Sequence, residues 1–401
     1  MRDIRLGIIG LGNIGTSCHY KNIREGKVQG VQVAGVCDRN ADLLSPFAKQ
    51  DIATFTDSKQ LIRSGTVDAV LIATPHYAHT TIGVDAIKQG LHVLVEKPIS
   101  VHKADCERLI AAYRARTPAQ RKKQVFAAMF NQRTDPRYQK IRQLIQDGEL
   151  GTLRRVNWII TDWFRTEAYY QSGGWRATWK GEGGGVLVNQ CPHQLDVLWW
   201  LCGLPKRITA HAHLGRWHDI EVEDDVTAIL EYEGGAHGVF TTSTGEAPGT
   251  NRLEIVGTRG KLVAEGASLT FTRNEVPMDT FSATTDKGFA KPPVWNIDIP
   301  IRGFGGQHAE ILQNFIDACR GTAALIAPAE DGIHSVEMGN AMLLSGITGK
   351  PVDLPMSGKA YERQLKKLIA ASEASGHSRK KKKAGKKTAR PASADDMASS
   401  F

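Results

Sequence analysis

The chain has 401 residues, of which 41% are hydrophobic and 23% are charged. This composition is typical of a folded globular protein and excludes a disordered or fibrous chain. The length exceeds what one hydrophobic core usually supports. We therefore predict two domains, residues 1–130 and 131–372, followed by a tail at residues 373–401.

The net charge of +9 is concentrated near the end of the chain. Eight positive charges lie within residues 379–390, so the remaining residues carry a net charge of only one. The segment 373–401 is rich in Lys, Ala and Ser and has almost no large apolar residue to bury, so we predict that it is disordered. It is either a solvated tail or a weak contact for nucleic acid or another polyanion, and the sequence leaves both open.

No secretory signal pattern is present at the N-terminus, and no apolar run reaches the about 18 residues that a membrane helix needs. The six cysteines are scattered without a CxxC pair, which indicates reduced thiols rather than a disulfide framework or a zinc site. We therefore expect a cytoplasmic protein without a membrane segment and without a metal.

The first predicted element is a strand from Ile4 to Ile9, which leads into GLGNIG and then a helix from about Thr16. In such a turn the first glycine permits the tight bend, the second lets the backbone approach a pyrophosphate, and the third lets helix and strand pack. The helix N-terminus then attracts the anion. The predicted dinucleotide contacts of this loop are Gly10, Gly12, Asn13, Ile14 and Gly15.

A second strand, VQVAGVCD, ends in Asp38. A carboxylate at this position accepts hydrogen bonds from the ribose hydroxyls of NAD and disfavours the 2′-phosphate of NADP. Arg39 beside it favours NADP more weakly, so NAD is the predicted cofactor and NADP the alternative. The distance from the glycines is longer than the usual ~20 residues, and an ordinary turn at the end of the strand is the other reading of Asp38.

Strands and helices then alternate, as in a doubly wound parallel sheet. VDAVLIATP and LHVLVEKP are predicted as buried strands, and the segment between them as a helix that Gly90 ends. Ligands in such sheets lie at the carboxyl ends of the strands. The predicted cofactor contacts in this region are Thr74, Pro75, His76, His79, Glu96 and Lys97.

Lys97 follows a buried strand and lies between Glu96 and Pro98. An ammonium group there can donate a hydrogen bond to a substrate hydroxyl and stabilise a developing alkoxide. Lys97 is therefore a predicted catalytic and substrate-binding residue, and a surface lysine in a turn is the alternative.

Three glycines precede a cluster of polar side chains in EGGGVLVNQCPHQLD, residues 182–196. The spacing places Asn189, His193 and Asp196 on one face of a helix. That face either points into a cleft or is the wet side of a surface helix.

These motifs, in this order, resemble the Gfo/Idh/MocA family, the glucose–fructose oxidoreductase and inositol dehydrogenase group. The matching segments are GLGNIG, ATPHYAH, VEKP and GGGVLVNQCPHQLD, within about residues 1–350. The resemblance implies an α/β protein with an N-terminal Rossmann domain and a C-terminal α/β domain. The open, mostly antiparallel sheet of the second domain would form the pocket wall and the interface of a homodimer or homotetramer.

The resemblance also implies hydride transfer between NAD(P) and a ring hydroxyl or ketone of a sugar, cyclitol or derivative. It implies that Lys97 is the lysine of the EKP motif and that His193 is the catalytic histidine of the second domain. Loss of a hydride from an alcohol also requires loss of the hydroxyl proton, which suits a histidine. Family members commonly carry Asp where this chain has Asn189, and Asn cannot take a proton, so we predict that Asn189 orients the substrate. The glycines are predicted to bring the backbone close to the cofactor.

The segment before these glycines, EAYYQSGGWRATWKG, is unusually aromatic. We predict that Trp175 and Arg176 contact the substrate or the nicotinamide. The alternative is that the aromatic residues seal the domain junction. His308, at the start of a predicted amphipathic helix, either reaches the pocket or is structural.

Two other functions on the same fold are alternatives to a dehydrogenase of sugars or polyols. One is a redox-neutral, NAD-dependent enzyme that cleaves glycosides. The other is a non-catalytic NAD-binding sensor.

Overall fold

The computed structural model describes residues 2–172 and 174–375. A six-stranded sheet occupies the first part of the chain, and all its neighbouring strands are parallel, in the order β3-β2-β1-β4-β5-β6. Its strands are β1 (Ile4–Ile9), β2 (Val31–Cys37), β3 (Ala53–Phe55), β4 (Ala69–Ile72), β5 (His92–Val95) and β6 (Phe126–Ala128). The order reverses between β1 and β4, which confirms the predicted doubly wound sheet.

A nine-stranded sheet follows, in the order β14-β13-β12-β11-β7-β10-β9-β8-β15. Its strands are β7 (Leu153–Ile160), β8 (Arg207–Leu214), β9 (Glu223–Glu231), β10 (His237–Ser243), β11 (Asn251–Gly257), β12 (Gly260–Glu265), β13 (Ser268–Asn274), β14 (Val294–Asp298) and β15 (Val352–Asp353). Only the pair of β7 and β10 is parallel among these described strands. The predicted open, mostly antiparallel sheet is confirmed.

The helices connect and cover the two sheets. They are α1 (Lys21–Arg24), α2 (Ser45–Ala48), α3 (Ser58–Arg63), α4 (Tyr77–Gln89), α5 (Lys103–Arg114), α6 (Pro118–Lys123), α7 (Pro136–Gln146), α8 (Glu167–Gln171), α9 (Pro192–Cys202), α10 (Met278–Thr284), α11 (Gln307–Cys319), α12 (Gly332–Thr348) and α13 (Gly358–Ser375). A π-helix spans Ile14–Tyr20, and 3-10 turns span Ala41–Leu43, Asn131–Thr134, Glu233–Gly235 and Ala329–Asp331. Within the described residues no helix is both long and apolar enough to cross a membrane.

Each sheet has its own hydrophobic core. The strand β4 is buried along its whole length, as a parallel strand covered on both faces should be. The core of the first sheet also contains Leu312 and Phe315 of α11, which come from far along the chain. Residues from the predicted second domain therefore complete the first core, and the division at residue 130 stays a prediction.

The last helix continues beyond the predicted end of the second domain. α13 runs to Ser375, and Lys180 Nζ donates to Glu373 at 2.6 Å. Residues 373–375 are thus helical. The predictions for the rest of the tail concern residues outside the described part of the chain.

The three glycines of the 182–196 segment are buried. A Cβ atom at Gly185 would lie 1.9 Å from the carbonyl oxygen of Glu223 in β9, and one at Gly183 would lie 2.1 Å from Val101. We predicted that these glycines let the backbone approach the cofactor. The glycines also let neighbouring parts of the protein pack closely, and the approach to the cofactor stays a prediction.

Gly185→Ala should lower the free energy of unfolding by about 2 kcal/mol or more, because a paired strand cannot move away from the added methyl group without disrupting its own packing. The measurement is chemical and thermal denaturation. Gly288→Ala is the control, since a Cβ atom there meets no atom within 4 Å. Equal stability of the two variants would contradict the packing role.

Candidate functional site

The glycine loop forms a cradle at the end of β1. Gly10 has a φ of +98°, and a Cβ atom there would lie 2.5 Å from the carbonyl oxygen of Ala73. A Cβ atom at Gly15 would lie 2.0 Å from the carbonyl oxygen of Gly10. At Gly12 a Cβ atom would meet nothing within 4 Å, so this glycine faces open space, as the approach of a pyrophosphate requires. The helix starts at Ile14, after Asn13, and not at Thr16 as we predicted.

Asp38 lies directly beside this loop. Its Oδ2 accepts a hydrogen bond from the backbone nitrogen of Leu11 at 2.8 Å, and its Oδ1 accepts one from the backbone nitrogen of Asn40 at 2.8 Å. Arg39 is exposed. The carboxylate is therefore fixed next to the predicted dinucleotide position, as an interaction with the ribose would need.

The residues after β4 have different roles. Thr74 Oγ1 is buried and has no hydrogen-bond partner among the described residues, so it is available to a ligand. Pro75 is exposed. His76 is buried, its ring packs edge-on against Trp175 at 5.7 Å, and burial holds the pKa of His76 well below its usual range. Its Nδ1 lies 3.4 Å from the carbonyl oxygen of Glu182, so it meets the second-domain segment.

His79 corrects a prediction. Its ring is fully buried, with Nδ1 2.8 Å from the carbonyl oxygen of Pro98 and Nε2 2.7 Å from that of Thr74. Both ring nitrogens are thus directed at backbone carbonyls, and neither is left to hydrogen-bond the cofactor. His79 instead fixes the loops that follow β4 and β5.

Glu96 forms a buried pair with His19, which the sequence reasoning missed. Glu96 Oε1 lies 2.7 Å from His19 Nε2, and Glu96 Oε2 accepts from the backbone nitrogen of Lys97 at 3.1 Å. Burial alone would raise the pKa of Glu96, but the hydrogen bond and charge of His19 lower it to about 2. His308 lies against His19, with ring centroids 5.8 Å apart, and burial lowers the pKa of His308 to about 4. His308 therefore reaches the site.

Lys97 joins the two halves of the molecule. Its Nζ donates a hydrogen bond to the carbonyl oxygen of Asn189 at 2.8 Å. Burial lowers the pKa of Lys97, Glu96 and Glu182 oppose this effect, and Arg176 and Arg165 strengthen it. The alternative of a surface lysine in a turn is thereby excluded.

His193 lies in the first turn of α9 and is only 2% exposed. Burial, together with the positive charge of Lys97, holds the pKa of His193 well below its usual range, so the imidazole is neutral at neutral pH. Its Nδ1 has no hydrogen-bond partner among the described residues. A neutral, buried imidazole is a suitable proton acceptor.

An ion pair anchors the helix that carries His193. Arg133 Nη2 and Nε donate to the two carboxylate oxygens of Asp196 at 2.7 and 2.8 Å, and both side chains are buried. Asp196 thus accepts from a basic neighbour. Asn189 precedes this helix, which begins at Pro192, so the predicted face carries only His193 and Asp196. The burial of these two residues excludes the alternative of an ordinary surface helix.

Asn189 lies in a polar cluster with two residues that the sequence reasoning left unassigned, Glu182 and Tyr169. Its Nδ2 donates to Glu182 Oε1 and, at 3.3 Å, to the hydroxyl oxygen of Tyr169. Burial raises the pKa of Glu182, while Arg176 opposes this rise. Glu182 directly precedes the three glycines, and this position is the one signal in the sequence that could have identified Glu182 as a site residue.

The residues of the aromatic segment divide between the two predicted roles, contact with the substrate and sealing of the domain junction. Tyr170 and Trp179 are each 3% exposed and belong to the second core, so they seal the structure. Trp175 is half-buried against His76, and Arg176 Nη1 donates to the hydroxyl oxygen of Tyr169 at 2.9 Å. These two residues lie beside the Lys97 cluster, where a substrate contact is feasible.

The cradle fits a dinucleotide, because it combines open space at Gly12, a fixed carboxylate at Asp38 and the unpartnered hydroxyl of Thr74. Among residues 2–172 and 174–375, no group of three or more His, Cys, Asp or Glu side chains is arranged to hold a metal.

Comparisons with known proteins agree with this geometry. Residues 4–123 match the model of the GFO/IDH/MocA oxidoreductase family with an NAD-binding Rossmann fold, and residues 138–263 match the C-terminal domain of the same family. The inositol 2-dehydrogenase of Rhizobium meliloti is 25% identical over 348 residues, which cover 85% of this chain and 96% of that protein. The trans-1,2-dihydrobenzene-1,2-diol dehydrogenase of Bos taurus is 28% identical over 275 residues, covering 65% and 77%.

Solved structures share the fold. The WlbA dehydrogenase of Chromobacterium violaceum, in complex with NADH and UDP-GlcNAcA, superposes with a TM-score of 0.73 at 25% identity, covering 89% of this chain and 97% of that one. A levoglucosan dehydrogenase in complex with NADH and levoglucosan gives a TM-score of 0.72 at 19% identity, covering 88% and 100%. The chain therefore belongs to the GFO/IDH/MocA family of oxidoreductases, and its first sheet forms an NAD-binding Rossmann domain.

Proposed function

We propose that this protein is an NAD-dependent dehydrogenase or reductase that transfers a hydride between the nicotinamide and a ring hydroxyl or ketone of a sugar, cyclitol or derivative. The observation that carries the proposal is the 2.8 Å hydrogen bond between Lys97 Nζ and the carbonyl oxygen of Asn189, beside the buried His193. The positive charge of Lys97 also lowers the pKa of His193, so an ammonium group and a neutral imidazole lie within electrostatic range of each other near the carboxyl end of β5. Relatives named for inositol and 1,5-anhydro-D-fructose, and structures that hold levoglucosan or UDP-GlcNAcA, support the substrate class.

The cofactor, when bound, supplies the hydride acceptor or donor. The protein supplies the handling of charge and protons. Lys97 donates a hydrogen bond to the reacting oxygen and stabilises the negative charge that develops on it. His193 takes the hydroxyl proton during oxidation and returns it during reduction. Asn189 holds Lys97 through its backbone and orients the substrate through its side chain.

The remaining site residues position the substrate and the cofactor. Trp175 offers an aromatic face for the ring, and Arg176 offers donors for its oxygens. The buried pair of Glu96 and His19 fixes the backbone at Lys97 through the 3.1 Å hydrogen bond to its nitrogen. The presence of the partly buried Lys97 near the buried His193 favours an enzyme over a sensor.

A panel of sugars and polyols with NAD and NADP, followed by the absorbance of the reduced nicotinamide, tests the activity. On this panel the wild-type protein should use NAD better than NADP, because Asp38 would face the 2′-phosphate. Asp38→Ala should narrow the difference. A tenfold preference of the wild type for NADP, about 1.4 kcal/mol, would show that Asp38 has another role.

Lys97→Ala and His193→Ala should each slow hydride transfer on the order of a hundredfold or more, because each removes an interaction of the transition state. The measurement is single-turnover transfer with bound NAD, together with the affinity for NAD, which should change little. Asn189→Ala should weaken substrate binding more than it slows the reaction. The double variant should be far less impaired than the product of the single losses, since both groups serve one proton transfer.

Lys59→Ala and His237→Ala are matched controls for this series, because both side chains are exposed and distant in the fold from Lys97. Wild-type rates in His193→Ala would assign that side chain to packing alone.

The pH profile of kcat/KM for oxidation should have two limbs. His193 must be neutral to accept the proton and its pKa is lowered, so the acid limb should lie below the usual 6.5. Lys97 must be charged and its pKa is also lowered, so the alkaline limb should lie below the usual 10.5. Lys97→Met should abolish the alkaline limb and move the acid limb to higher pH, because the positive charge of Lys97 lowers the pKa of His193. An acid limb that does not move in Lys97→Met would disprove the coupling.

A further inference from the structure

Two guanidinium groups pack over one aromatic ring beside the proposed reaction centre. The Cζ atoms of Arg165 and Arg176 lie 5.2 and 4.8 Å from the ring centroid of Tyr169. Arg165 also packs over Trp163 at 5.3 Å, and Arg176 over Trp175 at 4.8 Å. Aromatic rings thus hold both cationic groups in place, as they would in a preformed binding site.

This pair is connected to Lys97 by hydrogen bonds. The hydroxyl oxygen of Tyr169 accepts from Arg176 Nη1 at 2.9 Å and from Asn189 Nδ2 at 3.3 Å, and the carbonyl oxygen of Asn189 accepts from Lys97. Both arginines also contribute to the lowered pKa of Lys97. Their charges are therefore felt at the ammonium group that would contact the reacting oxygen.

The carboxylates near this pair have several partners, and Glu182 also interacts electrostatically with Arg176 and Lys97. Glu96 is paired with His19, and Glu182 accepts from Ala177 and Asn189. Burial raises the pKa of Asp162, three residues before Arg165, and the positive charge of Arg165 opposes this rise. The Nε of Arg165 is buried without a hydrogen-bond partner, although Nη1 donates to the carbonyl oxygen of Phe164 at 2.9 Å.

Three cationic side chains, Lys97, Arg165 and Arg176, therefore act on one another in a partly buried region, where Glu96 and Glu182 are the carboxylates that act on Lys97. Like charges in such a region repel one another more strongly than in water, because the surrounding dielectric is lower. An anion bound between them would relieve this repulsion. The planar forks of two guanidinium groups match the oxygens of a carboxylate or a phosphate.

We propose that Arg165 and Arg176 bind a carboxylate or phosphate group of the substrate, so that the protein acts on acidic sugars in preference to neutral polyols. This inference rests on the proposed function, since it assumes that the reacting hydroxyl lies at Lys97. The anionic group would lie on the side of the substrate that faces Tyr169. The aromatic segment would thus determine substrate class, while Lys97 and His193 carry out the reaction.

The first test is binding without turnover. The protein is first saturated with NADH, which cannot accept a hydride from a sugar. It is then titrated with glucose, glucuronate and glucose 6-phosphate, and with the corresponding galactose series. The acidic sugars should bind at least about tenfold more tightly than the neutral sugar, which corresponds to about 1.4 kcal/mol of binding free energy. Addition of 0.5 M NaCl should reduce this difference in affinity, because salt screens the charges. The comparison of glucuronate with glucose 6-phosphate distinguishes a carboxylate site from a phosphate site.

The second test uses variants with NAD. Arg165→Gln should lower kcat/KM for the acidic sugar about tenfold or more, mainly through KM, and should lower kcat/KM for the neutral sugar by much less. Arg165→Lys should be intermediate, because the charge remains and the fork is lost. Arg154→Gln on β7 is the matched control, since this arginine is exposed.

The outcomes separate the two proposals. Equal affinity for acidic and neutral sugars, unchanged in Arg165→Gln, would overturn the inference. If this result were found while neutral polyols were still oxidised in a reaction that depends on Lys97, the proposed function would still stand. Arg165-dependent binding of acidic sugars without any hydride transfer would support the anion site and disprove the proposed function.

Discussion

The hydrogen bond from Lys97 Nζ to the carbonyl oxygen of Asn189 is the interaction on which the candidate site depends. It joins the end of β5 in the parallel sheet to the segment that leads into α9 on the antiparallel sheet. Without it, the ammonium group would have no fixed position relative to His193. An unpaired ammonium group at this depth would also be costly, because burial disfavours its charged form.

The surrounding structure holds Lys97 and Asn189 in contact. Buried glycines let the 182–196 segment lie against β9, where any larger side chain would collide with backbone or neighbouring side chains. The bidentate pair of Arg133 and Asp196 then fixes α9 from behind. Removing one partner of such a buried pair leaves an uncompensated charge, so the two residues stabilise the arrangement only together. The site is therefore held by packing and by charge, with its polar atoms directed inward.

Burial also determines what the polar groups can do. It keeps His193 and His76 neutral, while Glu96 stays ionised because His19 donates to it or carries a charge beside it. The same surroundings concentrate positive charge around Lys97, through Arg165 and Arg176. A site of this kind favours negative charge, both on a reacting oxygen and on a substrate substituent. The proposed reaction and the proposed substrate class thus follow from one electrostatic feature.

The sequence by itself determined the parallel sheet and the glycine loop, and it singled out Asp38, Lys97 and His193 as candidate site residues. These features depend on local patterns, since buried parallel strands, glycine turns and helix periodicity involve neighbouring residues. It did not identify His19, Glu182, Tyr169 or Arg165, it misassigned His79, and it did not show that the three glycines pack against distant parts of the chain. Those roles depend on contacts between residues far apart in the chain, such as His19 with Glu96 and Gly185 with Glu223. Only the tertiary structure decided them, because no local spacing records which distant backbone or side chain fills the space beside a residue.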